Sequence, residues 1–305
     1  MQNLFDIAII GAGSAGLTAA IYACRNNKSV VVFEGHAIGG QISESPLVEN
    51  YPSIKEISGS DFSNNLMEQA MHNGAQIEFE NIASLEHNGK FAVLQTELGN
   101  TFHSKAVILA VGCEPRRIGF ANEKEWIGRG LGYCAVCDGN FYRGKDVAVV
   151  GGGDTALQEA IYLSNICNNV HIIHRRDKFR ASDALVKKAQ SKANIHYVMD
   201  SAVLAPQGKD FLERIELQNT VSGEKSTLDV NALFVAVGRI PQTKLFAKYL
   251  QLDQAGFVIA GEDCKTEHEW LFVAGDCRVK ALRQLTTAVA DGSMAGIAAS
   301  EYIEA

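Results

Sequence analysis

The stretch LFDIAIIGAGSAG, residues 4–16, decides the fold class of the whole chain. Its first seven residues are mostly apolar and favour a buried strand, and the glycines after them have the spacing GxGxxG. A helical stretch at 17–26 and a strand at 29–33 follow, with Glu34 at the end of that strand. Together these segments predict a βαβ unit of about 30 residues, the kind that binds a dinucleotide.

Each residue type in this first glycine loop has a physical reason to be there. Gly11 permits a tight turn, Gly13 lets the backbone approach a pyrophosphate, and Gly16 lets the helix pack closely on the strand. The helix N-terminus offers free N–H groups to phosphate oxygens. Glu34 is placed to accept hydrogen bonds from ribose hydroxyls. The loop therefore indicates a flavin or nicotinamide site, and a glycine turn without a ligand is the alternative.

The same pattern begins again near residue 146. A strand at 146–150 leads into GGGDTA at 151–156, a helical stretch at 157–165 and a strand at 170–173. Here the second strand ends in His174-Arg175-Arg176, with Arg180 close by, and no acid replaces Glu34. Guanidinium groups bind a 2′-phosphate with paired hydrogen bonds, so this unit favours NADPH over NADH. The alternative is a solvated basic cluster.

The two units predict an α/β chain with two Rossmann-like dinucleotide-binding domains. Buried strands at 106–110, 232–236 and 270–274 and a helical run at 286–302 extend the pattern. Prolines in 113–117 and 240–244 mark candidate boundaries. If the tail belongs with the first unit, the second domain is inserted in the first. The expected domains are 1–114 with 243–305 for FAD, and 115–242 for NADPH and the redox cysteines.

Composition narrows the class of partner and the compartment. The 305 residues carry a formal charge of −7, which gives no reason to expect nucleic acid or an anionic membrane as partner. No run of 18 apolar residues occurs, and Met1-Gln2-Asn3 has no positively charged segment of the kind that opens a secretory signal. Seven cysteines in a chain of this length do not suggest structural disulfides. We therefore expect a cytoplasmic protein.

The most informative cysteines form the motif Cys134-Ala135-Val136-Cys137, with Asp138 next to it. A CxxC can close a small disulfide ring and lowers the pKa of one thiol. A zinc site would need a second such pair, and the other five cysteines offer none, so no metal is expected. Two unlinked thiols are the remaining alternative. Asp138 could carry protons to or from a thiolate, or could simply be a helix-capping or turn residue.

Taken in order, these motifs resemble the low-molecular-weight, bacterial-type thioredoxin reductases. The resemblance covers nearly the whole chain and rests on both glycine loops, CAVCDG at 134–139, HRRDKFRA at 174–181, Gly275-Asp276 and Arg283-Gln284-Leu285. It implies a two-dinucleotide-binding-domain flavoprotein in which a hydride passes from NADPH to FAD. Cys137 would then receive the electrons, Cys134 would attack the disulfide of thioredoxin, and the enzyme would be a homodimer.

The resemblance and the glycine loops together predict two sets of cofactor residues. Gly39, Gly40, Gln41 and Asn50 would line the flavin, Asp276 would hold its ribityl chain, and Arg283 and Gln284 would lie near its ring system. The set for FAD is Gly11, Gly13, Ala15, Gly16, Glu34, Gly39, Gly40, Gln41, Asn50, Gly112, Gly275, Asp276, Arg283, Gln284 and Leu285. The set for NADPH is Gly152, Gly153, Asp154, Thr155, His174, Arg175, Arg176 and Arg180.

Two other functions remain open at this point. The same relay could act on another protein disulfide or on a small-molecule disulfide. The chain could instead be a flavin-binding redox sensor with little turnover, although a sensor would not need an NADPH site.

Overall fold

The structure is a computed structural model that describes residues 4–305, so the expectation drawn from Met1-Gln2-Asn3 lies outside the described residues. Residues up to Glu114 form one compact unit together with Ile240–Ala305, and Pro115–Arg239 form a second. The second boundary expected from the sequence lies three residues later, after residue 242. Nowhere between residues 4 and 305 is there a helix with the length and apolar character needed to cross a membrane.

The first unit begins with the predicted βαβ segment and continues into a mixed sheet. Its first strands and helices are β1 (Leu4–Ile10), α1 (Ser14–Arg25), β2 (Val30–Phe33), α2 (Gly59–His72), β3 (Gln76–Glu78), β4 (Ile82–His87), β5 (Ala92–Thr96), β6 (Thr101–Leu109) and β7 (Cys113–Pro115). The strands β2 and β6 flank β1 and run parallel to it. The strands β4, β5 and β6 pair antiparallel, which extends the sheet on one side.

The second unit repeats the parallel core. Its elements are β8 (Leu131–Gly132), α3 (Ala135–Asp138), β9 (Asp146–Val150), α4 (Asp154–Leu163), β10 (Asn169–Ile173), α5 (Asp183–Gln190), β11 (Ile195–Val198), β12 (Ser201–Gln207), β13 (Arg214–Asn219), β14 (Lys225–Asp229) and β15 (Ala232–Val235). The parallel sheet has the order β11-β10-β9-β15-β8, and β12, β13 and β14 form a separate antiparallel sheet.

The chain then returns to the first unit. This last part contains β16 (Arg239–Pro241), β17 (Leu271–Val273) and α6 (Leu285–Glu304). The strand β17 pairs parallel with β6, so residues after 240 complete the sheet that residues before 114 began.

The two long helices of the first unit pack closely because two glycines on α6 face the backbone of α1. A Cβ atom on Gly292 would lie 2.2 Å from the carbonyl oxygen of Ala15, and one on Gly296 would lie 2.7 Å from that of Ala19. Neither distance is possible for a real side chain. The C-terminal helix therefore lies directly against the helix that follows the first glycine loop.

Candidate active site

The first glycine loop has the geometry that its sequence predicts. Gly11 has φ +105°, and a Cβ atom there would lie 2.5 Å from the carbonyl oxygen of Ala110. A Cβ atom on Gly16 would lie 1.9 Å from the carbonyl oxygen of Gly11. Both positions therefore require glycine, and α1 begins at Ser14 with Gly13 as its N-cap in extended conformation. The free N–H groups of that helix end are available to an anion.

Glu34 is held at the end of β2 by the backbone around it. Its Oε2 accepts a hydrogen bond of 3.0 Å from the N–H of Ala12, and its Oε1 accepts one of 2.9 Å from the N–H of His36. Each carboxylate oxygen has a second lone pair for a ribose hydroxyl. The N–H of Gly39 donates to the carbonyl oxygen of Ala12 at 2.8 Å, which brings Gly39 and Gly40 beside the same loop.

The C-terminal part of the first unit contributes a second wall of this site. A 3₁₀ turn over Gly275–Cys277 carries Asp276, and a Cβ atom on Gly275 would lie 2.9 Å from Cβ of Ala15. Gly275 also has φ +81°, which favours glycine. The predicted residues Ala15, Gly275 and Asp276, far apart in sequence, therefore lie together.

The residues around the start of α6 are tied to one another. Gln284 caps α6, whose first residue is Leu285, and Asn50 donates a hydrogen bond of 3.2 Å from Nδ2 to Oε1 of Gln284. Nε of Arg283 donates to the carbonyl oxygen of Asp276 at 3.2 Å, and its guanidinium lies 4.1 Å from the ring centre of Phe257. These contacts fix the loop that joins Asp276 to α6.

Two further predicted residues lie near the end of β6. The side-chain amide of Gln41 donates a hydrogen bond to the carbonyl oxygen of Cys113. Gly112, which precedes it, has φ +63°, and a Cβ atom there would meet nothing within 4 Å among the described residues. The space beside Gly112 is open.

A buried cluster of charged side chains, centred on Asp291, holds the Gly275–Cys277 turn by a hydrogen bond from the N–H of Gly275. Asp291 on α6 accepts hydrogen bonds from the N–H of Gly275 (2.9 Å), from Nε (2.7 Å) and Nη2 (2.6 Å) of Arg278, and from Nζ of Lys280 (2.8 Å). Burial by itself raises the pKa of Asp291, but the hydrogen bonds from Arg278 and Lys280 outweigh it and leave the pKa below its usual value. No motif in the sequence predicts this cluster.

The second glycine loop has a similar cradle with one open position. A Cβ atom on Gly151 would lie 2.4 Å from the carbonyl oxygen of Ala236, and one on Gly152 would lie 2.2 Å from the ring of His174. Gly153 caps α4 in extended conformation, and a Cβ atom there would meet nothing within 4 Å among residues 4–305. The backbone at Gly153 can therefore be approached by a phosphate group.

The first turn of α4 is joined to the basic segment after β10. Asp154 accepts a hydrogen bond of 2.8 Å at Oδ1 from the N–H of Ser182, and the N–H of Arg180 donates to the carbonyl oxygen of Gly152 at 2.7 Å. Thr155 is exposed beside Asp154. The loop, the helix start and Arg180 therefore form one surface.

The residues of the basic segment do not all share one environment. Arg175, Arg176 and Arg180 are exposed, and within residues 4–305 none of their guanidinium groups pairs with a carboxylate. His174 is buried, and its ring stacks on Phe179 with centroids 5.5 Å apart. Burial lowers the pKa of His174, and the three arginines lower it further. A neutral imidazole thus supports the loop, while three cations face solvent.

The predicted pairing of Cys134 with Cys137 is confirmed, because the two residues are joined in a disulfide. Cys134 is the N-cap of α3, and its Sγ accepts a hydrogen bond of 3.2 Å from the N–H of Cys137. The five other cysteines are buried and form no disulfide within residues 4–305. Burial raises the pKa of Cys277 to about 12, so that thiol is unreactive. No group of three His, Cys, Asp or Glu residues in 4–305 is placed to bind a metal ion.

Asp138, the last residue of α3, has the character of a proton donor. Its Oδ2 would lie only 3.2 Å from a Cβ atom on Gly132 of β8, so the carboxyl is enclosed. Burial raises the pKa of Asp138 to about 6. A carboxyl with such a pKa can give a proton near neutral pH.

Glu159 is a second carboxyl beside the dithiol, half-buried with its Oε2 out of reach of solvent, and it was not predicted from the sequence. Its Oε1 accepts a hydrogen bond of 3.5 Å from the N–H of Ala135. The spacing along α4 could have indicated it. Glu159 comes three residues after Ala156 and four before Leu163, both buried, so the three side chains lie on the same face of the helix. An acid on the buried stripe of a helix needs an explanation.

The comparisons with known proteins agree with this site. The model of the family described as pyridine nucleotide-disulphide oxidoreductase matches residues 5–292. The chain is 39% identical to a thioredoxin reductase of Peptoclostridium acidaminophilum, over 100% of this chain and 99% of that relative. It is 36% identical to a longer Mycobacterium leprae protein, a bifunctional thioredoxin reductase/thioredoxin, over 99% of this chain and 66% of that one.

Solved structures that resemble this chain include further thioredoxin reductases. The crystal structure of thioredoxin reductase from Streptococcus pyogenes superposes with a TM-score of 0.95 at 36% identity, covering 100% of this chain and 99% of that one. Thioredoxin reductases of this family use FAD and NADPH. The two glycine cradles, the carboxylate at one strand end and the three exposed arginines at the other fit these two cofactors.

Proposed function

The chain belongs to the pyridine nucleotide-disulphide oxidoreductase family, and on this ground we propose that it is an NADPH-dependent thioredoxin reductase. The observation that carries the proposal is the Cys134–Cys137 disulfide on the unit whose glycine loop is followed by exposed arginines. The relatives named thioredoxin reductase, and the Mycobacterium leprae relative whose name also includes thioredoxin, support thioredoxin as the substrate.

The first unit is the proposed FAD site. The N–H groups at the start of α1 bind the pyrophosphate, and Glu34 accepts hydrogen bonds from the ribose hydroxyls of the adenosine. Gly39, Gly40, Gln41, Asn50 and Gly112 line the flavin, and Asp276 binds the ribityl chain. Arg283, Gln284 and Leu285 lie beside the ring system. The open space next to Gly112 and the closed cradle at Gly11 and Gly16 support this division.

The second unit is the proposed NADPH site. Gly152, Gly153, Asp154 and Thr155 surround the pyrophosphate at the start of α4. The exposed arginines bind the 2′-phosphate with charge-assisted hydrogen bonds. His174, which is buried under Gly152, supports the loop rather than contacting solvent. When bound, NADPH supplies a hydride and FAD relays its two electrons.

The two cysteines and Asp138 have different roles in the remaining transfer of electrons and protons. Cys137 is the proposed sulfur that receives the electrons, and Cys134 is the one that attacks the substrate disulfide. The N-terminus of α3 stabilises the thiolate that forms there. Asp138, with its raised pKa, protonates the sulfur that leaves. We also propose that the enzyme works as a homodimer in the cytoplasm, with its other thiols reduced.

The test is turnover with a defined substrate. Purified protein is mixed with NADPH and oxidised thioredoxin, and the loss of nicotinamide absorbance is followed. We expect rapid oxidation that Cys134→Ser and Cys137→Ser both abolish, while Cys24→Ala, a change at a buried free cysteine on α1, leaves the rate intact. Flavin reduction without turnover on thioredoxin would point to another disulfide substrate. Flavin reduction with little turnover on any disulfide would favour the redox sensor.

A further inference from the structure

Glu159 connects the helix that follows the second glycine loop to the helix that carries the dithiol. It lies on α4, and its Oε1 accepts a long hydrogen bond of 3.5 Å from the N–H of Ala135. Its Oε2 is out of reach of solvent and has no hydrogen-bond partner within residues 4–305. Because half of this carboxyl lacks both water and a donor, its charged form is disfavoured.

Glu159 and the sulfur of Cys134 lie at the same end of α3. The carboxyl accepts from the N–H of Ala135, and Sγ of Cys134 accepts from the N–H of Cys137, so both use amides of the first turn. In the oxidised protein the sulfurs carry no charge, so any negative charge there is on the carboxyl of Glu159 or of Asp138. Reduction of the disulfide adds a thiolate to the same place, and two neighbouring anions repel each other.

Before the disulfide is reduced, burial and the neighbouring charged groups determine the pKa of Glu159. Burial raises the pKa of Glu159 to about 7, the Ala135 amide and Arg239 lower it, and Asp138 raises it. Burial raises the pKa of Tyr142, and the Asp138 charge adds to this. Arg239 is therefore the only cation in the described part of the chain that lowers the pKa of Glu159, and Asp138 opposes it. The negative charge of a thiolate, added when the disulfide is reduced, therefore favours the protonated form of one of these two carboxyls.

We propose that Glu159 is a positioning residue for the redox dithiol, one that takes up a proton when the Cys134–Cys137 disulfide is reduced and releases it when the disulfide re-forms. This inference deepens the proposed function, because it takes that disulfide as the redox pair. It gives α4 a part in the dithiol chemistry in addition to its place beside the glycine loop.

The protons and electrons balance as follows. Reduction breaks the bond between the two sulfurs, adds two electrons that NADPH supplies, and leaves one thiol, one thiolate and a protonated Glu159. Two protons are taken up, one released from NADPH on its oxidation and one from solvent. The thiolate then attacks the substrate disulfide and the enzyme disulfide re-forms. The two substrate sulfurs leave as thiols, one with the proton of the enzyme thiol and one with a proton from Asp138. Glu159 then returns its proton to Asp138 and becomes a carboxylate again.

The test measures the reduction equilibrium of the dithiol without its substrates. The full chain with its flavin is equilibrated with mixtures of oxidised and reduced dithiothreitol from pH 6 to 9, and the free thiols are trapped and counted. The compared quantity is the equilibrium constant for reduction of the disulfide, given as the value for Glu159→Gln divided by the value for the unaltered protein. We expect this ratio to be constant below about pH 7. Above that pH it should rise, by at most about tenfold per pH unit, because only the unaltered protein must then take up a proton at residue 159. Glu224→Gln, the same change in an exposed turn of the second unit, should give a constant ratio.

A ratio for Glu159→Gln that stays constant from pH 6 to 9 overturns the proposal. Should this variant fail to fold, infrared difference spectra of the unaltered protein decide the matter. Reduction at pH 8 should produce a protonated-carboxyl band that shifts when glutamate is labelled with ¹³C, and its absence would refute the assignment. NADPH and thioredoxin take no part in either measurement. Failure of the thioredoxin reductase proposal and failure of this one are therefore distinguishable.

Discussion

Replacing Asp291 by asparagine should unfold the first unit at a much lower temperature. The side chains of Asp291, Arg278 and Lys280 are only 6%, 4% and 7% exposed, so the change leaves two buried cations without their counter-charge. Breaking a buried ion pair by removing one partner costs about 3–5 kcal/mol. Asparagine keeps the shape and one acceptor, which favours the lower end. For a unit of this size, about 3 kcal/mol lowers Tm by roughly 6–12 °C.

The matched control is Glu262→Gln, because Glu262 also pairs with Arg278. Its carboxylate lies 3.7 Å from Nη2 of Arg278, but its side chain is 98% exposed. Solvent screens such a pair, so Tm should hardly change. Thermal unfolding followed by circular dichroism and by flavin fluorescence measures both variants. Equal Tm values for Asp291→Asn and Glu262→Gln would refute the reasoning.

The pH dependence of the Asp291 effect has a definite sign. Hydrogen bonds hold the pKa of Asp291 below its usual value, so the carboxylate is more acidic in the folded protein than in the unfolded chain. Its stabilisation is therefore present above about pH 4 and is lost as the pH falls through the lower, folded value. The difference in Tm between Asp291→Asn and the unaltered protein should be steady from pH 8 to 5 and should shrink in more acidic solution.

Three further predictions concern the two cofactor loops and the dithiol. Gly16→Ala should abolish flavin binding, because its Cβ would lie 1.9 Å from a backbone oxygen. A Gly16→Ala protein that retains its flavin would contradict this. Gly153→Ala, where a Cβ meets nothing, should leave Tm unchanged and raise the KM for NADPH. Arg176→Gln should lower the preference for NADPH over NADH by about 10–100-fold, since a hydrogen bond to a charged group contributes about 1.5–3 kcal/mol; an unchanged ratio of kcat/KM values would exclude it from the 2′-phosphate site. Asp138→Asn should slow thioredoxin reduction and yet stabilise the fold at pH 7 by about 3 kcal/mol. The reason is that burial raises the pKa of Asp138 to about 6, so the charged form is the less stable one. Denaturant unfolding should show the gain disappear near pH 4.

The parts of the fold that sequence predicted best are those that local chemistry determines. The strands at 4–10 and 146–150 have the bounds expected of them, because an apolar run that ends in a glycine turn has little freedom. The helices α1 and α4 each begin three residues earlier than predicted, at Ser14 and Asp154. The last residues of each glycine loop already form the first helical turn.

The antiparallel additions were not predicted, because their signals are weak. The strands β12, β13 and β14 alternate polar and apolar residues irregularly, and their pairing depends on neighbours from elsewhere in the sheet. Contacts across long sequence distances were equally hidden. Only the resemblance to a known family suggested Asn50 and Gln284 as parts of one site, and the structure joins them by a hydrogen bond.

Two side chains, His174 and Glu159, differ from their neighbours in burial rather than in type. His174 stands next to two arginines in the sequence but is buried, because successive residues at a strand end point in different directions. Glu159 follows an exposed Gln158 on a helix, yet it faces the dithiol. Residue type alone does not report such differences.

The two-part construction of the first unit has a consequence for how the protein forms during synthesis. The strand β17 and the helix α6 complete that unit, and they leave the ribosome only after the whole of Pro115–Arg239. At about 5–20 residues per second, the N-terminal segment waits roughly ten seconds or more for its missing partners. We therefore expect the later-encoded unit to fold first, with the apolar face of α1 that α6 will cover exposed to chaperones meanwhile. Limited proteolysis of ribosome-bound chains that end near residue 285 would then spare the second unit and cleave the first.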